Sequence, residues 1–252
     1  MSVISIANHK GGVGKTTTTV NLAAALAQKG YRILILDMDP QANATFSLGL
    51  KKQDQTIYNV MAFGDSIRKV VQQLESFDLI PASIHLAGFE KNNEVGKEFI
   101  LAEHMEDIRP DYDFILIDCP PSLGALTISA LTASNYALVP LQPEFLALQG
   151  MTDFIKILRT VKTRMNRELE LLGVVVTQYD TRKVLHRDIL EHASQSYGEM
   201  VFETRIRGNI SLAEAQSMGL DIFQYDAACN GAEDYSELAS EVVRRTSELV
   251  QS

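Results

Sequence analysis

Residues 4–19 read ISIANHKGGVGKTTTT, and this stretch decides the fold of the chain. A short β-branched run, Val3–Ile6, predicts a buried strand. A glycine-rich turn over Lys10–Lys15 follows, and Thr16–Gln28 then shows helical spacing with many alanines. Strand, glycine loop and helix in that order form a phosphate cradle. Glycines let backbone N–H groups turn inward, the helix N-terminus carries partial positive charge, and a lysine reaches the outer phosphates.

The loop departs from the usual phosphate-loop pattern at its entrance. The pattern G-x-x-x-x-G-K-[ST] requires glycine at position 9, where this chain has His9. A second lysine, Lys10, precedes the glycines. His9 either orients the loop or is simply accommodated at its surface. The sequence therefore predicts a deviant phosphate loop with one lysine on each side of its glycines.

Helical patterns alternate with short apolar runs along the whole chain, which favours a parallel sheet covered on both faces. The predicted strands are Val3–Ile6, Ile33–Asp37, Leu79–Ile80, Phe114–Asp118, Ala137–Leu141, Leu172–Thr177 and Val201–Ile206. The predicted helices are Thr16–Gln28, Ser66–Leu74, Gly96–Ile108, Ala125–Ala133, Met151–Met165, Val184–Ser196 and Tyr235–Val250. The polar stretch Gly49–Asn59 is predicted to be an irregular surface excursion. We expect an α/β fold with a single doubly wound, mostly parallel sheet, in one domain spanning residues 1–252.

Composition narrows the class of protein. The 252 residues are 46% apolar and 22% charged, as in ordinary globular proteins, and no apolar run is long enough to span a bilayer. Met1 leads almost directly into the first strand, so we expect no signal peptide. Cys119 and Cys229 lack metal-ligand spacing, which favours a reduced, cytoplasmic setting. The net charge of −9 argues against polyanion binding over the whole surface, although a local basic patch stays possible.

Three acidic residues follow apolar strands. Asp37 and Asp39 end the run ILILDMDP, and Asp118 ends FILID before Cys119 and two prolines. Ligands of open α/β sheets bind beyond the carboxyl ends of the strands, where acids can hold Mg²⁺ directly or through water. Asp39 is the better candidate to orient an attacking water. Asp37 is either part of the site or a cap that supports it.

The motifs KGGVGKTTTTVNLAAALA, LDMDPQANAT, LIDCPPSLG, YALVPLQPEFLALQG and GVVVTQYDTR together resemble the ParA/Soj branch of deviant Walker ATPases. The resemblance covers nearly the whole chain, with MinD and the nitrogenase iron protein as more distant relatives. It implies that Lys15 holds the β- and γ-phosphates and that Lys10 reaches the nucleotide of a partner copy. Asp39 would activate water. The metal would be held by Thr16, Asp39 and Asp118.

The same resemblance implies a full set of nucleotide contacts. The phosphates would lie against Lys10, Gly11, Gly12, Val13, Gly14, Lys15, Thr16 and Thr17. The adenine would lie near Gln178, Ile206, Arg207 and Asn209. The implied cofactors are ATP and Mg²⁺. The catalytic residues would be Lys10, Lys15 and Asp39.

A switching cycle is also implied by the resemblance. ATP binding would drive formation of a homodimer that sandwiches two ATP molecules, and the dimer would bind DNA without sequence preference on the nucleoid. A ParB-like or other adaptor would stimulate slow hydrolysis and release. Such cycles position plasmids, chromosome origins or protein cargos.

The basic residues expected to contact DNA are altered in part. Relatives usually read I-P-R-N-V-R-L where this chain has Ile206-Arg207-Gly208-Asn209-Ile210-Ser211-Leu212. The stretch 181–211 holds five basic and four acidic residues, so its charge is only weakly positive. Either this is an ordinary solvated surface, or a dimer doubles a small patch formed by Arg182, Lys183, Arg205 and Arg207.

Three other functions are weighed against this one. A MinD-like membrane ATPase would need a basic amphipathic C-terminal helix, but residues 241–250 contain acids and no aromatics. An iron–sulfur reductase would need bridging cysteines, which Cys119 and Cys229 do not offer. The alternative that stays open is an orphan ParA-like positioning or regulatory ATPase with weak or altered DNA binding.

Overall fold

A computed structural model describes residues 1–91, 95–145 and 147–251. Its strands are β1 (Ser2–Ile6), β2 (Ile33–Asp37), β3 (Gln72–Gln73), β4 (Asp78–Ile80), β5 (Phe114–Asp118), β6 (Tyr136–Leu141), β7 (Glu170–Tyr179) and β8 (Val201–Arg207). They form one sheet in the order β3-β4-β2-β5-β1-β6-β7-β8, in which only the β3–β4 pair is antiparallel. This confirms the predicted mostly parallel α/β fold. Ser252, the end of the predicted domain, lies outside the described residues.

The helices flank this sheet. They are α1 (Lys15–Gln28), α2 (Asn43–Ser47), α3 (Ile57–Phe63), α4 (Leu86–Lys91), α5 (Ile100–Met105), α6 (Ala125–Thr132), α7 (Ala147–Arg164), α8 (Val184–Tyr197), α9 (Ile210–Ser217), α10 (Ile222–Asp226) and α11 (Asn230–Gln251). Short 3₁₀ turns occupy Ile67–Val70, Lys97–Phe99, Arg109–Asp111 and Gly198–Met200. Two hydrophobic cores result, one on each face of the sheet. Along β1, for example, Val3 packs into one core and Ile4 into the other, as the two-residue period of a strand requires.

The helix predicted over Ser66–Leu74 is wrong. The segment forms a single 3₁₀ turn, and Gln72–Gln73 then pairs antiparallel with β4. The β-branched Val70 and Val71 favour extended backbone, and the available strand edge of β4 satisfies the backbone groups of that extension.

Two further boundaries differ from prediction. Gly96–Ile108 divides into a 3₁₀ turn and the short α5. The stretch predicted to be irregular, Gly49–Asn59, contains the start of α3, where Thr56 and Asn59 form a reciprocal capping box. That spacing of a cap residue and its partner is a sequence signal for a helix start that the prediction did not use.

The edge strand β8 is closed by carboxylates of α11. The backbone N–H groups of Glu203 and Thr204 donate to Glu241 at 3.0 Å each, and the N–H of Arg207 donates to Asp234 at 2.7 Å. Arg245 binds Glu241 and stacks over the Phe202 ring at 4.0 Å. The C-terminal helix therefore packs on the sheet, and it covers an edge that could otherwise pair with another chain.

Gly173 in β7 provides a test of this packing. Its φ is +152°, and an added Cβ would lie 2.5 Å from the carbonyl oxygen of Met200 and 2.6 Å from the Phe202 ring. We expect Gly173→Ala to lower the free energy of unfolding by about 2–3 kcal/mol in urea titrations. Gly88→Ala is the matched control and should be neutral or slightly stabilising, because no other described segment of the chain comes within 4 Å of the new Cβ. Equal effects of the two substitutions would contradict this account.

Candidate nucleotide site

The glycine loop connects β1 directly to α1. Gly12 and Gly14 have φ values of +77° and +87°, a left-handed backbone that glycine adopts without strain. Gly14 is the N-cap of α1, and no side chain within the described ranges caps that helix end. The first N–H groups of α1 therefore face the loop without an intrahelical partner, as an anion site requires.

Lys15 is the lysine inside this loop. Its side chain is buried, and its Nζ donates to the carbonyl oxygen of Lys10 at 2.9 Å. Burial lowers the pKa of Lys15, while the nearby carboxylates of Asp118 and Asp39 oppose that shift. A buried cation beside free helix N–H groups is well placed to bind phosphate oxygens.

Strand β7 braces the outside of the loop. Thr177 Oγ1 donates to the carbonyl oxygen of Val13 at 2.8 Å, and Gln178 Nε2 donates to that of Gly12 at 2.8 Å. Gln178 itself has a φ of +52°, an unusual backbone for glutamine. These contacts turn the two carbonyl groups away from the cradle. Thr177 was not predicted as a site residue, although it lies in the motif GVVVTQYDTR, because no role was assigned to it there.

Asp37 and Asp118 lie side by side because β2 and β5 are parallel neighbours in register. Both carboxyl groups are fully buried. Asp118 accepts hydrogen bonds from Thr16 Oγ1 at 2.7 Å and from Thr19 Oγ1 at 3.3 Å. The structure thus brings the predicted metal residues Thr16 and Asp118 into direct contact at the start of α1.

Burial governs the protonation of these acids. It raises the pKa of Asp37 to about 7, although hydrogen bonds from Thr45 and Asp39 oppose the shift. Burial and the neighbouring Asp37 carboxylate raise the pKa of Asp118 well above its ordinary value. Two buried carboxylates, with the Lys15 ammonium as the cation near Asp118, form an oxygen-rich place for a hard cation.

The donor set fits Mg²⁺ bound together with phosphates. Within the described ranges, no cluster of three or more His, Cys, Asp or Glu side chains could hold a metal ion. Mg²⁺ commonly takes one or two protein oxygen ligands and completes its shell with water and substrate phosphates, so the oxygens offered by the three predicted ligands, Thr16, Asp39 and Asp118, fit such an ion.

Asp39 stands at the turn that leaves β2. Its backbone N–H donates to Asp37 Oδ1 at 3.1 Å, and its own Oδ1 accepts the N–H of Gln41 at 2.9 Å. Asp37 also accepts two hydrogen bonds from Thr45, at 2.9 Å and 2.8 Å. Asp37 is therefore a positioning residue that fixes the Asp39 turn. These contacts favour the supporting role, one of the two that the sequence leaves open for Asp37.

Lys10 is engaged by an acid from another loop. Its ammonium group forms an ion pair with Glu144, which follows β6, and both side chains are partly exposed. The two lysines of the motif therefore have different environments in one chain, with Lys15 inside the loop and Lys10 on its outer surface. Glu144 was not predicted, because a glutamate in a connecting loop carries no distinguishing pattern.

His9 packs tightly against α7. A Cβ at Gly150 would overlap the His9 ring, so the ring can keep this position only beside a residue without a side chain. The loop entrance is thus seated against the backbone of α7, which agrees with an orienting role for His9.

A cleft of about 290 Å³ continues from the loop. The four residues predicted to contact adenine, Gln178, Ile206, Arg207 and Asn209, all line it together with Gly14 and Thr17. Gln216 also lines the cleft and donates to Thr17 Oγ1 at 3.1 Å. The structure therefore brings the predicted base and phosphate residues into one continuous groove.

Of the predicted DNA-contact residues, Arg182 and Lys183 follow β7, whereas Arg205 and Arg207 lie in β8. Arg182 is 88% exposed and pairs with Asp180, which lowers the pKa of that carboxyl group. Lys183 is exposed at the start of α8, and the Arg205 guanidinium lies over the Tyr179 ring at 5.6 Å. Arg207 is held by Asp234 at 2.6 Å and by Glu233 at 2.6 Å. Arg207 is thus turned toward α11.

These features define a P-loop nucleotide-binding protein of the α/β class. A family model described as an AAA domain matches residues 1–171. The chain is 42% identical over 242 residues to the chromosome-partitioning ATPase Soj of Treponema pallidum, covering 94% of this chain and 95% of that protein. It is 39% identical over 253 residues to the chromosome partitioning protein ParA of Caulobacter vibrioides, covering 97% and 95%. The chain belongs to the Soj/ParA family of chromosome-partitioning ATPases, which confirms the family and the ATPase class predicted from sequence.

A solved structure agrees with this assignment. The cobyrinic acid a,c-diamide synthase of Mycobacterium smegmatis, with a bound ATP analogue and magnesium, is 34% identical to this chain. The two superpose with a TM-score of 0.86 over 98% of this chain and 96% of that one. The predicted cofactors, ATP and Mg²⁺, agree with the ATP analogue and magnesium bound in that structure. Among the described residues, no helix is long and apolar enough to cross a membrane.

The buried acids predict how stability depends on pH. The pKa of Asp37 is about 7 in the folded chain against an ordinary 3.8, so the folded state binds the proton more tightly. This contribution to stability is complete below pH 3.8 and is lost as pH rises through about 7. We expect the free energy of unfolding of the nucleotide-free protein to fall by on the order of 1 kcal/mol between pH 6 and 8.

Urea titrations at a series of pH values measure this slope. Asp37→Asn removes the titrating group, so its slope over the same interval should be flatter whatever its absolute stability. A slope in Asp37→Asn equal to that of the wild type would contradict the assignment.

Proposed function

We propose that this protein is an ATP-hydrolysing dimerisation switch that binds DNA without sequence preference in its ATP form. With a ParB-like partner that stimulates hydrolysis, it would segregate or position a plasmid, a chromosome origin or a protein cargo. One observation supports this most directly: Lys15 is buried within the loop, whereas Lys10 lies on its outer surface against Glu144. On release from Glu144, a cation on that surface would reach a second copy, where it would stabilise charge developing on the partner's nucleotide.

The chain's own residues divide the chemistry among them. Lys15 and the first N–H groups of α1 would bind the phosphate oxygens and neutralise their charge. Thr16 and Asp118 would hold Mg²⁺, which supplies Lewis-acid stabilisation of the transferred phosphoryl group. Asp39, fixed by Asp37 through its backbone N–H, would orient the attacking water and accept its proton. The base would lie in the cleft lined by Gln178, Ile206, Arg207 and Asn209.

The roles of the two key side chains can be separated. We expect Lys15→Ala to abolish ATP binding, because it removes the buried cation of the cradle. We expect Asp39→Ala to keep ATP binding and dimerisation but to lose turnover by about 10²-fold or more, because only water activation is removed. Fluorescent-nucleotide titration, size-exclusion chromatography with ATP and phosphate release measure the three properties.

Asp65→Ala is a matched control, since Asp65 lies on the surface outside the site. Unchanged phosphate release in Asp39→Ala would reject the water-activating role. Normal nucleotide affinity in Lys15→Ala would reject the phosphate assignment.

DNA binding would rest on Arg182, Lys183 and Arg205, with Arg207 contributing only if it leaves Asp234. Two ring contacts connect Arg205 with the start of α8. The Arg205 guanidinium lies over the Tyr179 ring, and the ring centroids of Tyr179 and His186 are 6.1 Å apart. His186 Nδ1 accepts the N–H of Asp180 at 3.1 Å, which fixes the turn that carries Arg182. A small patch of this kind would depend on duplication across a dimer to reach useful affinity.

The DNA proposal predicts a specific loss. We expect Arg182→Glu/Lys183→Glu to weaken ATP-dependent DNA binding by about tenfold or more at low salt and to flatten its salt dependence. Nucleotide affinity should be unchanged, because neither residue lines the base cleft. Mobility shifts with ATP, with ADP and without nucleotide, over a salt series, measure the effect.

Lys29→Glu/Lys69→Glu makes the same change of charge elsewhere on the surface and is the control. Equal losses in the two double variants would show a general charge effect and would contradict the patch. If the wild type shows no salt-sensitive binding with ATP, the alternative becomes the better reading: an orphan positioning or regulatory ATPase. The engagement of Arg207 by Asp234 and Glu233 is the observation that favours this alternative.

A further inference from the structure

A second cleft lies beside the Asp39 turn and is separate from the base cleft. It has a volume of about 690 Å³, within the usual range for small-molecule sites. Its walls come from the Pro40–Ala42 turn, from α2, from residues 51–59 and from residues 82–85 after β4. None of its lining residues lines the base cleft. We call it the effector cleft.

The effector cleft has an apolar wall open to solvent. Phe46 is 53% exposed and Ile84 is 60% exposed, which is high for large hydrophobic side chains in a folded protein. Tyr58 and His85 add two ring surfaces, with centroids 5.5 Å apart. Burial of such side chains by a ligand would remove apolar surface from water, which favours a ligand with an aromatic or aliphatic body.

The positive charge of the cleft lining favours ligands that also carry an anionic group. Lys51 and Lys52 line the same cleft, and neither forms an ion pair with any residue of the described ranges. Asp54 is the one acid in the lining, so the local balance is positive. An anionic group on the ligand would therefore find two ammonium groups at one end of an apolar surface.

The wall of the effector cleft is also the support of Asp39. Thr45 lines the cleft, donates to Asp37 and accepts the N–H of Ala82 at 3.1 Å. Asp37 in turn holds the N–H of Asp39. Ala42, in the same wall, has a φ of +54°, a left-handed backbone that costs alanine about 1 kcal/mol. A ligand packed here would restrain this strained turn in the arrangement that the Asp37 and Thr45 hydrogen bonds define.

We propose that the effector cleft binds a small organic anion with an apolar body, and that its occupancy slows ATP turnover by restraining the Asp39 turn. The apolar body would pack on Phe46 and Ile84, and the acidic group would pair with Lys51 and Lys52. The slowing of turnover rests on the proposed ATPase function, whereas ligand binding stands independently of it.

The probe is 8-anilino-1-naphthalenesulfonate, which joins an aromatic body to a sulfonate and fluoresces when it is buried. We expect saturable binding of one probe per chain that persists in saturating ADP and Mg²⁺. Lys51→Glu/Lys52→Glu should weaken it about tenfold, and Phe46→Ala should weaken it severalfold. The binding of the uncharged analogue N-phenyl-1-naphthylamine should be weakened by Phe46→Ala but not by Lys51→Glu/Lys52→Glu.

The coupling to Asp39 is tested by phosphate release. Saturating 8-anilino-1-naphthalenesulfonate should slow wild-type turnover severalfold and leave the turnover of Lys51→Glu/Lys52→Glu unaffected.

The control is again Lys29→Glu/Lys69→Glu, which should bind the probe like the wild type. Binding that ADP abolishes, or that both double variants weaken equally, would overturn the proposed site. Binding at the site with unchanged turnover would overturn its coupling to Asp39. A failure of the proposed ATPase function gives a different result. The wild-type protein would then release no phosphate in the absence of the probe, but it would still bind the probe.

Discussion

The structure depends on two buried carboxyl groups that face each other at the end of a parallel sheet. Asp37 and Asp118 are brought together by the register of β2 and β5, in an environment that raises the pKa of both. Such an arrangement is unfavourable unless hydrogen bonds or a cation compensate it. Asp118 is compensated by Thr16 and Thr19 of α1, and Asp37 by Thr45 and the Asp39 turn. The same hydrogen bonds therefore stabilise the acids and position the side chains around the phosphate cradle.

This coupling explains why the loops around the site are so closely connected. The phosphate loop is braced by Thr177 and Gln178 of β7, and the Asp39 turn is tied through Thr45 to the segment after β4. These hydrogen bonds tie each loop of the site to a neighbouring segment. A protein that switches with its nucleotide needs connected segments of this kind, because a γ-phosphate can move only what it reaches through them. The effector cleft lies on one such connection, so its proposed ligand would act on the catalytic turn without touching the nucleotide.

Much of the fold could be predicted because the decisive signals are local. The central strands are nearly continuous apolar runs, and α1 follows a glycine loop whose spacing fits one local structure. The prediction failed where local signals compete. The segment 66–74 is too short and too rich in β-branched side chains for a stable helix. Its residues Gln72–Gln73 pair with β4 instead. Helices such as α2 and α10 are only five residues long, and tertiary contacts rather than helical periodicity hold them.

The sequence by itself determined the chemical inventory: a glycine loop with two lysines, and three acids at strand ends. Each follows from a short pattern whose chemistry depends on residue type and spacing. Only the tertiary structure decided how those residues are used. It placed Lys15 inside the cradle and Lys10 against Glu144, made Asp37 a support for Asp39, and engaged Arg207 with Asp234 and Glu233. The partners lie far apart in the chain, and such pairings depend on strand order and register, which local sequence does not encode.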